Sequence, residues 1–170
     1  MEEQHTISVL VANKFGALAR IAGLFSGRGY NIESLTVNRT HNPNLSRMTI
    51  VTTGDDAILE QIEKQLSKLI DVESVVDLDT KNFVERELLL IKIHAPKEKR
   101  AEILNLSEIF GAKIPLVLKN EIALELAGPS NKIEDFISLI SEYGIIEMAR
   151  SGRTAISQNP GTTEDVRKEE

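Results

Sequence analysis

The chain has 170 residues, 41% of them hydrophobic and 27% charged, with 20 Lys and Arg against 26 Asp and Glu and a formal net charge of −6. That length holds one domain or two small ones with modest cores, and the acidic balance, without any run of Lys and Arg, argues against the basic face that a nucleic-acid binder turns to phosphates. No cysteine is present, which removes disulfides, thiolate chemistry and Cys-type zinc sites. No apolar run approaches the ~18–20 residues that span a bilayer, and the polar start Met1-Glu2-Glu3-Gln4-His5 is unlike a signal or transit peptide. The expected compartment is therefore the cytoplasm, with neither a membrane nor nucleic acid as partner.

Thr6 to Ala12, rich in Ile and Val, predicts a buried strand broken by Asn13-Lys14-Phe15-Gly16. A helix follows from Ala17, where Leu18, Ile21, Ala22, Leu24 and Phe25 lie close to the spacing of one apolar face. Gly27 and Gly29 end it, since glycine tolerates the positive φ past a helix C-terminus. Ile32 to Arg39 reads as a second strand, with Leu35 and Val37 on one side; His41-Asn42-Pro43-Asn44 is a turn, and Arg47 to Thr53 a third strand. Gly54-Asp55-Asp56 opens a second helix that an Asp side chain can cap, with Ile58, Ile62, Leu66 and Leu69 as its stripe, and Val72 to Leu78 is a fourth strand.

The pattern then repeats. Leu88 to Ile93 is a strand, and Pro96 and Lys97 start a helix faced by Ile103, Leu106 and Phe110 and closed by Gly111. Ile114 to Leu118 and Ile122 to Ala127 form a hairpin; Ser130 can cap a helix faced by Ile133, Phe136, Ile137 and Ile140, and Ile145 to Ala149 is the last strand. Both halves read βαββαβ, so the predicted fold is α+β with two tandem ferredoxin-like domains. The expected boundaries are a first domain at 1–79, a linker at 80–83, a second domain at 84–156, and a tail at 157–170 with almost nothing to bury, expected to be disordered.

Catalytic constellations are missing. The three histidines stand at the terminus (His5), in a turn (His41) and at a strand end (His94), without metal-ligand spacing. No GxSxG elbow or Walker-type loop occurs. Gly23, Gly27 and Gly29 lie within and at the end of a helix rather than opening one, which fits close packing and helix termination. Glu85-Arg86-Glu87 reads as an edge or a partner-facing patch. No catalytic residue, metal or cofactor is assigned to the chain.

The stretch Asn13 to Leu18 carries the most chemistry. The first N–H groups of the helix after it have no internal partner and carry the positive end of the dipole, so a carboxylate can dock there; Gly16 lets a ligand approach the backbone. The side-chain carbonyls of Asn13 and Asn31 can accept hydrogen bonds from an ammonium group, with Leu18 and Ile32 as apolar neighbours. That inventory matches a small hydrophobic α-amino acid; the alternative is that both asparagines simply shape turns. Asn13 and Asn31 stand at opposite ends of a helix about 18 Å long, so one ligand could meet both only across two subunits.

The string Asn13 to Phe25 resembles the start of an ACT domain, and Ser26 to Val37 resembles the acetohydroxyacid (acetolactate) synthase small-subunit family in particular. Leu45 to Ile50, Gln61 to Leu66 and Val84 to Leu88 agree, and the likeness runs from about Ile7 to Arg153. The resemblance implies that the first ferredoxin-like domain is an ACT domain forming a homodimer by pairing sheets. It implies a regulatory chain that activates the large catalytic subunit of acetolactate synthase and confers feedback inhibition by a branched-chain amino acid, usually valine. By position, Asn13, Gly16, Ala17 and Leu18 of one subunit and Asn31 and Ile32 of the other would hold the effector. Thiamine diphosphate, FAD and Mg would belong to the catalytic subunit alone. Lys14-Phe15 departs from the smaller or acidic pair that many relatives carry before the glycine, which bears on the width of the pocket.

Overall fold

The computed structural model describes residues 3–79 and 82–159. The chain divides into two compact units: residues up to Val84 joined by the stretch from Arg153, and Glu85–Gly152.

The first unit runs β1 (Glu3–Ala12), α1 (Ala17–Arg28), β2 (Ile32–Arg39), β3 (Leu45–Gly54), α2 (Asp56–Leu66) and β4 (Val72–Asp77). Its antiparallel sheet has the order β2-β3-β1-β4, which leaves β2 and β4 at the edges. Alternation along the strands decides what each face buries. Ile7, Val9, Val11, Met48 and Ile50 point to the side where Ile21 and Phe25 of α1 and Leu59, Ile62 and Leu66 of α2 close the core. The caps follow the local chemistry. Gly29 ends α1 at φ 74, while Gly27 stays inside the helix. Asp55 caps α2 through its carboxylate, which accepts the Ile58 N–H at 2.8 Å.

The opposite face of this sheet carries buried polar groups: Thr6, Ser8 and Thr49 are all at most 2% exposed. Such groups need partners: Arg47 donates to Ser8, Arg153 to Thr6, and a strand that the sequence did not predict meets Thr49. β9 (Thr154–Ser157) lies in the stretch that returns to this unit, and its Ala155, only 1% exposed, clusters with Val76, Leu78 and Phe83. The Ala155 N–H donates to Thr49 Oγ1 at 3.3 Å.

Three expectations change here. The stretch 153–156, assigned to the second domain, groups with the first unit, because Arg153 and Ala155 bond to β1, β2 and β3. Ser157 closes a strand, and Gln158 N–H donates to Asn82 O at 2.8 Å, so disorder does not begin at 157; the rest of the expected tail, 160–170, lies outside the described residues. Within the expected linker 80–83, Phe83 starts a strand and residues 80 and 81 lie outside the described residues.

The second unit is built from β5 (Phe83–His94, of which Phe83 and Val84 belong to the first unit), α3 (Arg100–Phe110), β6 (Lys113–Val117), β7 (Glu121–Gly128), α4 (Ser130–Ile140) and β8 (Ile145–Arg150). The order β6-β7-β5-β8 repeats that of the first sheet, as tandem ferredoxin-like domains require. Leu89, Ile91, Ile93, Ile122, Leu124 and Leu126 meet Ile103, Ile133, Phe136 and Ile140 in its core. The helix expected from Pro96 starts at Arg100, after a turn in which Lys99 N–H donates to Pro96 O at 3.0 Å. Ser130 does not cap α4 with its own side chain: its N–H and hydroxyl both donate to the Glu85 carboxylate, at 3.1 and 3.0 Å. Glu87 is 5% exposed and paired with Arg150 at 2.5 Å, so Glu85 and Glu87 tie this unit together instead of forming an outward patch.

Candidate functional site

The end of β1 turns into α1 through Gly16, whose φ of 83° lies in the left-handed region that a side chain resists. Gly16 is the N-cap residue; no side chain caps the helix and no acid stands in its first turn. The positive end of α1 thus meets neither a capping side chain nor a first-turn acid. Arg20, one turn on, adds to it. A Cβ placed on Gly16 would meet the Arg20 guanidinium at 3.6 Å, and that guanidinium is held by Asp71, with Nε 2.8 Å from the carboxylate. Arg20 belongs to the quoted motif but received no role from the sequence; the available signal was its position, four residues after Gly16, which puts both on one side of a helical turn.

Each predicted residue can now be placed. Asn13 is exposed; its backbone N–H donates to Asn44 O at 2.7 Å and its side-chain amide to Pro43 O at 2.9 Å. It therefore shapes the turn beside the β2–β3 hairpin, and its carbonyl is the end with acceptor chemistry for an ammonium. Ala17 is 4% exposed, so only its backbone can face a ligand, and its N–H reaches Lys14 O at 3.3 Å. Leu18 is 41% exposed, and Phe15 is fully exposed. At the far end of α1, the Asn31 side chain donates to Glu33, the Asn31 backbone carbonyl accepts from Thr52 Oγ1 at 2.6 Å, and Ile32 packs on the core. Within one chain, then, Asn13, Gly16, Ala17 and Leu18 come together, and Asn31 and Ile32 do not join them.

His5, expected at a loose terminus, is 6% exposed in β1; its Nε2 lies 3.2 Å from Gly54 O and its Nδ1 3.9 Å from Asp79. Among the described residues no group of three or more His, Asp or Glu gathers as metal ligands, and no helix is long and apolar enough to cross a membrane.

Two βαββαβ units, the first with a glycine-turned, positively charged helix start beside an edge strand, define an ACT-domain chain of the α+β class. Known sequences narrow this. Residues 7–74 match the acetolactate (AHAS) small subunit-like ACT domain, and residues 86–159 match the small subunit of acetolactate synthase. A probable acetolactate synthase small subunit of Archaeoglobus fulgidus is 53% identical over 153 residues, covering 90% of this chain and 96% of that one. The acetolactate synthase isozyme 3 small subunit of Escherichia coli is 50% identical, covering 89% and 94%. The crystal structure of the acetolactate synthase small subunit from Thermotoga maritima superposes with a TM-score of 0.84 at 41% identity, covering 94% and 99%. The chain belongs to the acetolactate synthase small-subunit family.

Proposed function

We propose that this chain is a regulatory subunit that activates a catalytic acetolactate synthase subunit and makes it sensitive to feedback inhibition by a branched-chain amino acid, valine first. The observation that carries the effector site is the start of α1: a helix terminus without a side-chain cap or first-turn acid, turned by Gly16 and flanked by the Arg20 guanidinium. These are donors for an α-carboxylate. Exposed Leu18 and Phe15 beside it offer apolar surface to a short aliphatic side chain.

The second half of the site comes from a second copy. β2 is an edge strand, and two such edges paired antiparallel about a two-fold axis set the Ile32 end of one beside the Arg39 end of the other. The Arg39 end is where the effector loop lies: Arg39 pairs with Ser46, Ala12 with Leu45, and Asn13 bonds Asn44. Such a homodimer would bring Asn31 and Ile32 of one copy to Asn13, Gly16 and Leu18 of the other, which resolves their separation along α1. On this reading thiamine diphosphate, FAD and magnesium belong to the catalytic subunit.

Isothermal titration calorimetry of the full chain with valine, and with aspartate as control, tests the effector site, since the chain has no tryptophan to report by fluorescence. Saturable heat with valine alone is expected. Absence of heat both for the chain and for its complex with the catalytic subunit would refute it.

A further inference from the structure

We propose, resting on the effector reading above, that Asp71 is a positioning residue of that site: it occupies one edge of the Arg20 guanidinium and so turns the other edge to the effector carboxylate. The Arg20 backbone N–H donates to Gly16 O at 3.0 Å, within the first turn of α1. A helical side chain leans back toward the N-terminus, which carries the guanidinium over Gly16. There, Nε donates to Asp71 Oδ2 at 2.8 Å, and Nη2 lies against the same oxygen. Nη1 stands outside that pair, and it is the atom nearest to where a Gly16 Cβ would be, at 3.6 Å. A guanidinium has five N–H donors in a planar fork. A carboxylate on the Nε–Nη2 edge therefore leaves the Nη1 donors for a second carboxylate.

Asp71 can direct Arg20 because the backbone, not Arg20, holds Asp71 in place. Its carbonyl accepts the Ala12 N–H at 2.7 Å, and the next residue, Val72, opens β4 and pairs with Val11. Asp71 is 8% exposed, whereas half of the Arg20 side chain is in water. An ion pair with one partner so exposed adds little to stability. What it supplies is direction: a long side chain that would otherwise sample many rotamers is ordered before the ligand arrives, which lowers the cost of binding. The ends of β1 and β4 thus fix the carboxylate, the carboxylate fixes the guanidinium, and the guanidinium faces the turn that Gly16 leaves open.

The test is calorimetry on the full chain, and on its complex with the catalytic subunit, at about pH 6.5, where α-amines are protonated. Valine is compared with valinamide, which keeps the ammonium and the side chain but has no carboxylate. The wild type should prefer valine by about tenfold or more. Asp71→Asn should cut this preference to about threefold or less, by weakening valine while valinamide stays within about twofold of wild type. Arg20→Lys should do the same, and adding Asp71→Asn to it should change the preference little, because Asp71 acts through the guanidinium. Asp71→Glu, which keeps the anion but displaces it by a methylene, should fall between. An undiminished preference in Asp71→Asn overturns the assignment, and so does an equal loss for valine and valinamide, the mark of a structural role. If Asp71→Asn does not fold, Asp71→Glu and Arg20→Lys decide, and a wild-type preference in either overturns it. A wild type that gives no heat with valine, alone or in the complex, defeats the effector reading and the role of Asp71 together; valine heat with an unchanged preference in the variants defeats the role of Asp71 alone.

Discussion

Gly16 and Arg20 are in contact: the glycine's missing Cβ would stand 3.6 Å from the guanidinium, on the side where α1 begins. A carboxylate attached to residue 16 would therefore occupy the same positive field that an effector carboxylate needs. Gly16→Asp is expected to abolish valine binding while activation of the catalytic subunit persists. The left-handed backbone adds a stability cost of about 1–2 kcal/mol. Calorimetry and an inhibition assay on the reconstituted enzyme measure the two effects; normal valine inhibition would remove Gly16 from the site.

Arg150 binds the buried Glu87 through two hydrogen bonds, at 2.5 and 3.1 Å, and reaches Glu134 at 2.7 Å. Arg150→Met would leave the Glu87 carboxylate buried without its cation, which costs about 3 kcal/mol; the lower end of the usual range applies because Arg150 is partly in water. Urea unfolding followed by circular dichroism should show this loss, and adding Glu87→Gln should recover part of it.

Burial raises the Asp79 carboxyl above the usual value near 3.8, with Asp77 adding to the rise, while the Thr6 N–H, His5 and Arg153 oppose it. The folded state thus binds this proton more tightly than the unfolded chain. The resulting stability is fully present below the unfolded value and is lost as pH rises through the folded one. Relative to Asp79→Asn, the wild type should gain thermal stability on going from neutral pH to about pH 4. His5 and Arg153 remain in both proteins, so the difference between them reports Asp79; parallel melting curves against pH would rule the carboxyl out.

Tyr143 holds its proton to about pH 12, through desolvation first and then the nearby carboxylates of Glu142 and Glu102. Tyr30 is the only other tyrosine, so a Tyr30→Phe background isolates the phenol. Its tyrosinate absorbance should rise well above pH 10, the ordinary value. Glu102→Gln should lower the midpoint, and an ordinary midpoint in the parent would contradict the contact.

The two-domain pattern was legible because its signals are local. Ile62 and Leu66 of α2, or Ile133, Phe136 and Ile140 of α4, repeat at helical spacing, and Asp55 stands three residues before the N–H that it caps. What escaped lies far apart in the chain. Glu85 caps a helix 45 residues later, and His5 is buried by Gly54 and Asp79 rather than by neighbours. β9 offers only four residues, and its Ile156 is 60% exposed, so neither length nor alternation announces it; it pairs with β5, and its Thr154 and Ala155 bond Thr36 of β2 and Thr49 of β3. For the candidate site, the Asn13–Leu18 loop could be read from helix-end chemistry. The remoteness of Asn31 followed from helix length alone, and Arg20 gained its place only when Asp71 fixed the direction of its guanidinium.

The way Arg153 and Ala155 meet the polar groups of the first sheet also sets an order of assembly during synthesis. Strands β1 to β4 leave the ribosome first, yet Thr6 and Thr49 must wait for Arg153 and Ala155, which follow every strand and helix of the second unit. The unit that starts first is the one that finishes last, and a nascent chain halted anywhere before residue 153 lacks the partners that Arg153 and Ala155 give to Thr6 and Thr49.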